Sequence, residues 1–175
     1  MKTLTSPNNI LADCVTVLRQ GIHLLERIDD ELFVATTPFS PRGSIGAHIR
    51  HILDFYQLFL SGCEKHRVDY NHRNRDPRVE RYRFYALGKI EQTIEQLERI
   101  SLIDASHHLL VSMENSSFWC RSSVLRELDF LLSHTIHHYS LIAMIVRMHE
   151  IDPGQDFGVA PSTLEYWRQE LVCAQ

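Results

Sequence analysis

Apolar residues recur at helical spacing along most of the chain. From about Asn8 to Ile28, the positions Ile10, Leu11, Val15, Val17, Leu18, Ile22, Leu24 and Leu25 predict a first helix. A proline-containing connection, DDELFVATTPFSPRG, leads to Ser44, a good N-cap. Ile45, Ile49, Ile52, Phe55, Tyr56 and Phe59 then form the stripe of a second helix that ends near Ser61 and Gly62. The polar segment EKHRVDYNHRNRDPR is too charged to be core and long enough to carry the chain across one end of a bundle. Asp76-Pro77 opens a third helix through VERYRFYALGKIEQTIEQLERI, whose Glu and Lys/Arg pairs mark a solvated face. HHLLVSM and SFWCRSS alternate in polarity around Glu114, Asn115 and Ser116, which predicts a short hairpin. Ser123 then caps a fourth helix running to about His149. After Asp152-Pro153-Gly154, Ser162 precedes a short C-terminal helix in TLEYWRQELV. The expected fold is all-α: a four-helix bundle with a long crossover, a short β-hairpin before the fourth long helix and a short C-terminal helix, in one domain spanning residues 1–175.

Composition narrows the function classes. The chain has 175 residues, 44% hydrophobic and 23% charged, which describes a globular protein able to bury a sizeable core. A formal charge of −4 with neutral histidines supplies no global attraction to nucleic acid or to anionic membrane, so neither partner is expected. Cys14, Cys63, Cys120 and Cys173 are widely separated and form no CxxC pair; they read as free thiols in a reducing cytoplasm. The N-terminus lacks a signal-peptide core, and no run approaches the roughly 20 apolar residues of a membrane span, so a cytoplasmic location is expected.

The candidate chemistry lies in histidines set within apolar helices. In LLSHTIHHYSLIAMIVRM, His134 and His138 stand at i and i+4, so they leave one face of the fourth helix and their ring nitrogens can converge on one metal ion. At about 100° per residue they share a sector with Leu131, Leu141, Ile142 and Ile145, while His137 falls toward the edge. Buried imidazoles need hydrogen-bond partners or a metal, and the bland alternative is a core pair bonded internally. A third ligand is available from GSIGAHIRHILDFY, where His48 and His51 lie three residues apart. Periodicity alone slightly prefers His48, which is nearer the centre of the stripe.

Around these residues the chain resembles the DinB/YfiT-like superfamily of small metal-binding helical bundles. The second helix of that family carries Ser, six residues, His, two residues, Asp, a spacing matched by Ser44, His51 and Asp54. Its last long helix carries His, three residues, His, with a further His just before the second, as in His134, His137 and His138. The resemblance spans most of the chain. It implies a three-histidine metal site of His51, His134 and His138, with His48 as a neighbour, and a homodimer through apolar helix faces.

Three neutral imidazoles suit a divalent transition metal, zinc, nickel or iron, better than magnesium or calcium. Three protein ligands leave a coordination position open, as in catalytic zinc sites, where water is activated or a thiolate held. Asp54 and Asp129 are candidates to accept the outer N–H of a ligating histidine. The expected function is a metal-dependent enzyme acting on a small-molecule substrate, as a hydrolase or as a transferase or isomerase that uses a low-molecular-weight thiol, the latter two being activities found in the resembled superfamily. The alternative is a noncatalytic metal-binding or stress-response protein. No GxSxG, GxGxxG or Walker A pattern occurs. His107 and His108 are adjacent and read as loop or edge residues, the crossover reads as solvated, and Met144 and Met148 read as core.

Overall fold

The computed structural model describes residues 7–37, 43–100 and 108–173, with the side chains of 7–9 and 171–173 outside the description. His107 and the side chain of Cys173 therefore lie outside the described residues. The described chain is mostly helical: α1 Pro7–Arg27, α2 Asp30–Val34, α3 Ile45–Cys63, α4 Pro77–Arg81, α5 Arg83–Glu98, α6 Val124–Met148 and α7 Pro161–Cys173, with strands β1 Arg67–Asp69, β2 His108–Ser112 and β3 Cys120–Ser123.

The helix starts follow their caps. Ser44 Oγ accepts from Ala47 N at 3.1 Å and Ser123 Oγ accepts from Arg126 N at 3.3 Å, so the expected serines open α3 and α6. Both helices then present apolar stripes to one core. Ile45, Ile49, Ile52, Phe55, Tyr56 and Phe59 of α3 are buried, as are Leu128, Leu131, Leu132, Ile142, Ile145 and Val146 of α6. α1 packs on α5 and α6, and α3 packs on the same two helices.

Several elements differ from expectation. The segment DELFV, read as connection, forms the single turn of α2, capped by Asp29 Oδ1 at 2.8 Å from Leu32 N. The expected third helix is two helices, because Tyr82 between them is extended (φ −120, ψ 103). The hairpin forms as β2 and β3, antiparallel with Leu110 opposite Arg121, but it belongs to a sheet. The crossover contributes β1, which pairs parallel with β2 in the order β1-β2-β3. Gly62 makes room for this strand: a Cβ there would lie 2.7 Å from the Arg67 carbonyl. Met144 and Met148 are exposed at 62% and 51%, because both fall on the side of α6 opposite its buried stripe.

Candidate metal centre

α3 delivers His48 and His51, and α6 delivers His134 and His138, to one half-buried place between the two helices. His51 Nε2 lies 3.1 Å from His134 Nε2, which in turn lies 3.2 Å from His138 Nε2. Ring centroids in this trio are 4.6 to 4.9 Å apart. One nitrogen from each of His51, His134 and His138 falls within 4.8 Å of the others, close enough to hold one metal ion. His48 stands one ring behind: its Nδ1 contacts His138 Nδ1 at 2.9 Å, on the far side of that imidazole from the cluster. His137 is exposed, with its ring edge-on to His138. His108, at the start of β2, is exposed and remote from this arrangement.

The environment keeps the imidazoles neutral. Burial, reinforced by His134 and the arginines nearby, pushes His51 down to about 4. Burial, with His137 and Arg73, pushes His134 down to about 4, and burial together with the other histidines pushes His138 down to about 2. Neutral imidazole is the form that ligates metal. The aromatic floor is Phe55, 4.5 Å from the His134 ring, with Phe130 stacked on the same histidine at 5.6 Å.

The donor set fits a divalent transition ion: three neutral nitrogens converge, and among the described residues no carboxylate joins their cluster. The outer nitrogens are less conventional. His138 Nδ1 meets His48 Nδ1 at 2.9 Å, His134 Nδ1 is buried with no partner among the described residues, and His51 Nδ1 faces Arg73 Nη1 at 2.9 Å. Neither expected aspartate reaches a histidine. Asp129 is exposed. Asp54 is buried, but it accepts from Arg50 Nη1 at 3.0 Å and from the backbone N–H of Arg75 at 3.1 Å. It therefore anchors the crossover to α3, and burial holds its carboxyl above the ordinary value despite those arginines.

Arg73 is the neighbour that sequence reasoning missed. Its side chain is only 14% exposed and its Nη2 pairs with Glu114 at 2.6 Å. The same segment buries Tyr70 completely, stacked on Phe55 at 5.0 Å and donating to Glu127 Oε2 at 2.9 Å. Glu127, itself fully buried, also accepts from Ser122 Oγ and Arg126 Nη1. Val68 and Tyr70 alternate with Asp69, a two-residue strand period that is the available signal for this burial. Nothing in the sequence singles out Arg73 among the arginines around it.

No protein-family model matches the chain. FK506-binding protein 5 of Rhizopus delemar is 28% identical over 174 residues, covering 91% of this chain and 38% of its own length. The chain thus spans well under half of that curated relative. Cys14, Cys63 and Cys120 are free thiols, and among the described residues no helix is long and apolar enough to cross a membrane.

Proposed function

We propose that the chain is a DinB/YfiT-like metal-dependent protein in which His51, His134 and His138 hold a divalent transition ion, zinc or nickel in preference to iron, with a position left open for water or a small thiol. The carrying observation is the convergence of their three nitrogens within 4.8 Å. A four-helix-bundle frame is the fold reading that goes with this, supported by α1 and α3 each packing on both α5 and α6. The bound ion would supply Lewis acidity, lowering the pKa of water or thiol at the open position. The residues have separate tasks: three histidines bind, His48 orients His138 through Nδ1, and Phe55 and Phe130 keep water from the inner side of His134.

Elemental analysis of untagged protein purified without added metal tests the reading. The expected result is near-stoichiometric metal in the wild type, lost in His51→Ala, His134→Ala and His138→Ala, and retained in His137→Ala. Metal content unchanged in the triple variant, or a wild type that neither contains metal nor is stabilised by zinc or nickel, sinks it.

One observation favours a noncatalytic metal-binding role instead. Among the described residues, a cavity of about 720 Å³ lies toward the opposite end of α3, lined by Gln57, Cys63, Glu64, His66, Gln96 and Arg99 among others and by no histidine of the cluster. Cobalt-loaded protein separates the two readings. A visible spectrum that changes on adding a small thiol indicates an open position, and an unchanged one indicates a closed, noncatalytic site.

A further inference from the structure

We infer that Arg73 is a positioning residue that competes with a metal ion for His51 and so weakens the metal affinity of the three-histidine centre. The inference rests on the metal reading of that centre. Its basis is a polarity conflict. A guanidinium has N–H donors and no acceptor, and it does not lose its proton in proteins. With Arg73 Nη1 at 2.9 Å, His51 Nδ1 must therefore present its lone pair. A neutral imidazole carries one N–H, so that proton sits on Nε2, where it donates to His134 Nε2 at 3.1 Å.

Nε2 is also the atom through which His51 faces the other two histidines. Metal ligation needs the Nε2 lone pair, so the proton must pass to Nδ1, by exchange with water and with no net protonation change. There it meets a second donor. Ligating histidines ordinarily give this outer N–H to a carboxylate, carbonyl or water, which raises their basicity. Arg73 offers the opposite, and the two arrangements exclude each other. His138 shows the contrast within the same cluster, since its Nδ1 faces His48 Nδ1, which accepts as readily as it donates.

Two features let Arg73 stand off His51 without becoming an unpaired buried cation. Its Nη2 is already held by Glu114 Oε1 at 2.6 Å, and its Nε is buried with no partner among the described residues, so the guanidinium is incompletely satisfied where it now lies. The segment that carries it is tethered independently of the histidines, by the bond from Arg75 N to Asp54 Oδ1 and by buried Tyr70. Contact with His51 is therefore separable from the fold.

The test is zinc affinity, measured by competition with a chromophoric chelator, for the wild type, Arg73→Met and Arg73→Lys, with thermal melts of each metal-free form to establish folding. Arg73→Met keeps a comparable stem and removes the donors, and is expected to bind zinc about 10-fold more tightly, the lower end of the usual effect of such outer partners. Arg73→Lys retains a donor and is expected to stay near wild type. Nitrogen-15 imidazole spectra of the metal-free protein add a structural readout: His51 is expected to carry its proton on Nε2 in the wild type. Zinc binding by Arg73→Met that is equal to or weaker than wild type overturns the inference, as does a His51 proton on Nδ1 in the metal-free wild type. Zinc bound by none of the three proteins overturns the metal reading, and this inference with it; zinc bound equally by all three overturns this inference alone.

Discussion

In α3 and α6 the residues that build the cluster repeat at three and four positions, while in residues 64–76, between α3 and α4, they follow no helical period. The helices bring His51 beside His134 because each carries a continuous apolar stripe that must be buried. The intervening segment reaches the same place through partners far along the chain: Tyr70 on Glu127, 57 residues later, and Arg73 on His51 and Glu114. A helix carries its chemistry in its own spacing. A connecting segment acquires it from whatever it is laid against.

The sharpest way to break this comparison is Tyr70→Ala. A solvated crossover would tolerate it, whereas a buried one loses a large side chain and leaves the Glu127 carboxylate short of a donor, at about 3–5 kcal/mol. Chemical denaturation of the metal-free protein reads the difference, and a loss below the noise would return the segment to the surface. Asp54→Ala is the next largest. It frees Arg75 N and leaves Arg50 with Glu80 alone, for about 1–3 kcal/mol. Because Asp54 holds the segment and not a histidine, zinc should still bind at saturating concentration.

A pH series isolates the helices' contribution. His51 and His134 sit near 4 in the folded protein, against about 6.5 when unfolded, so the unfolded state binds more protons between those values. Their contribution to stability is complete above about pH 6.5 and is lost as pH falls toward 4. The metal-free protein should therefore show a declining melting temperature through that window, and His51→Ala should flatten it. A profile identical in the two proteins would refute the assignment. The smallest effect belongs to Met144→Gln on the outer face of α6, within about 0.5 kcal/mol by the same denaturation measurement.

Periodicity and capping were enough to locate α1, α3 and α6, the serines that start two of them, and the helices bearing the histidines, because those signals are local. Periodicity slightly preferred His48, whereas in the structure it is His51 that meets His134. Both lie near one stripe, and the packing of α6 decides which ring meets His134 and which stands behind His138. The motif residues have distinct physical roles: Ser44 caps α3 and Asp54 fixes the segment that follows. Met144 and Met148 were misjudged because an apolar run was read as core without following its phase. β1 was missed because its partner lies in β2, across the whole of α4 and α5, and a three-residue strand has no pattern of its own to announce that pairing.

The break at Tyr82 bears on how the centre is divided along the polypeptide. Tyr82 is exposed, its backbone is extended and Arg81 precedes it, so trypsin finds an accessible bond between two helices there. A nick at that bond leaves His51 on one fragment and His134 and His138 on the other. The site would then be shared by two chains, held together by the packing of α1 and α3 on α5 and α6, of α4 on α5, and by the pairing of β1 with β2.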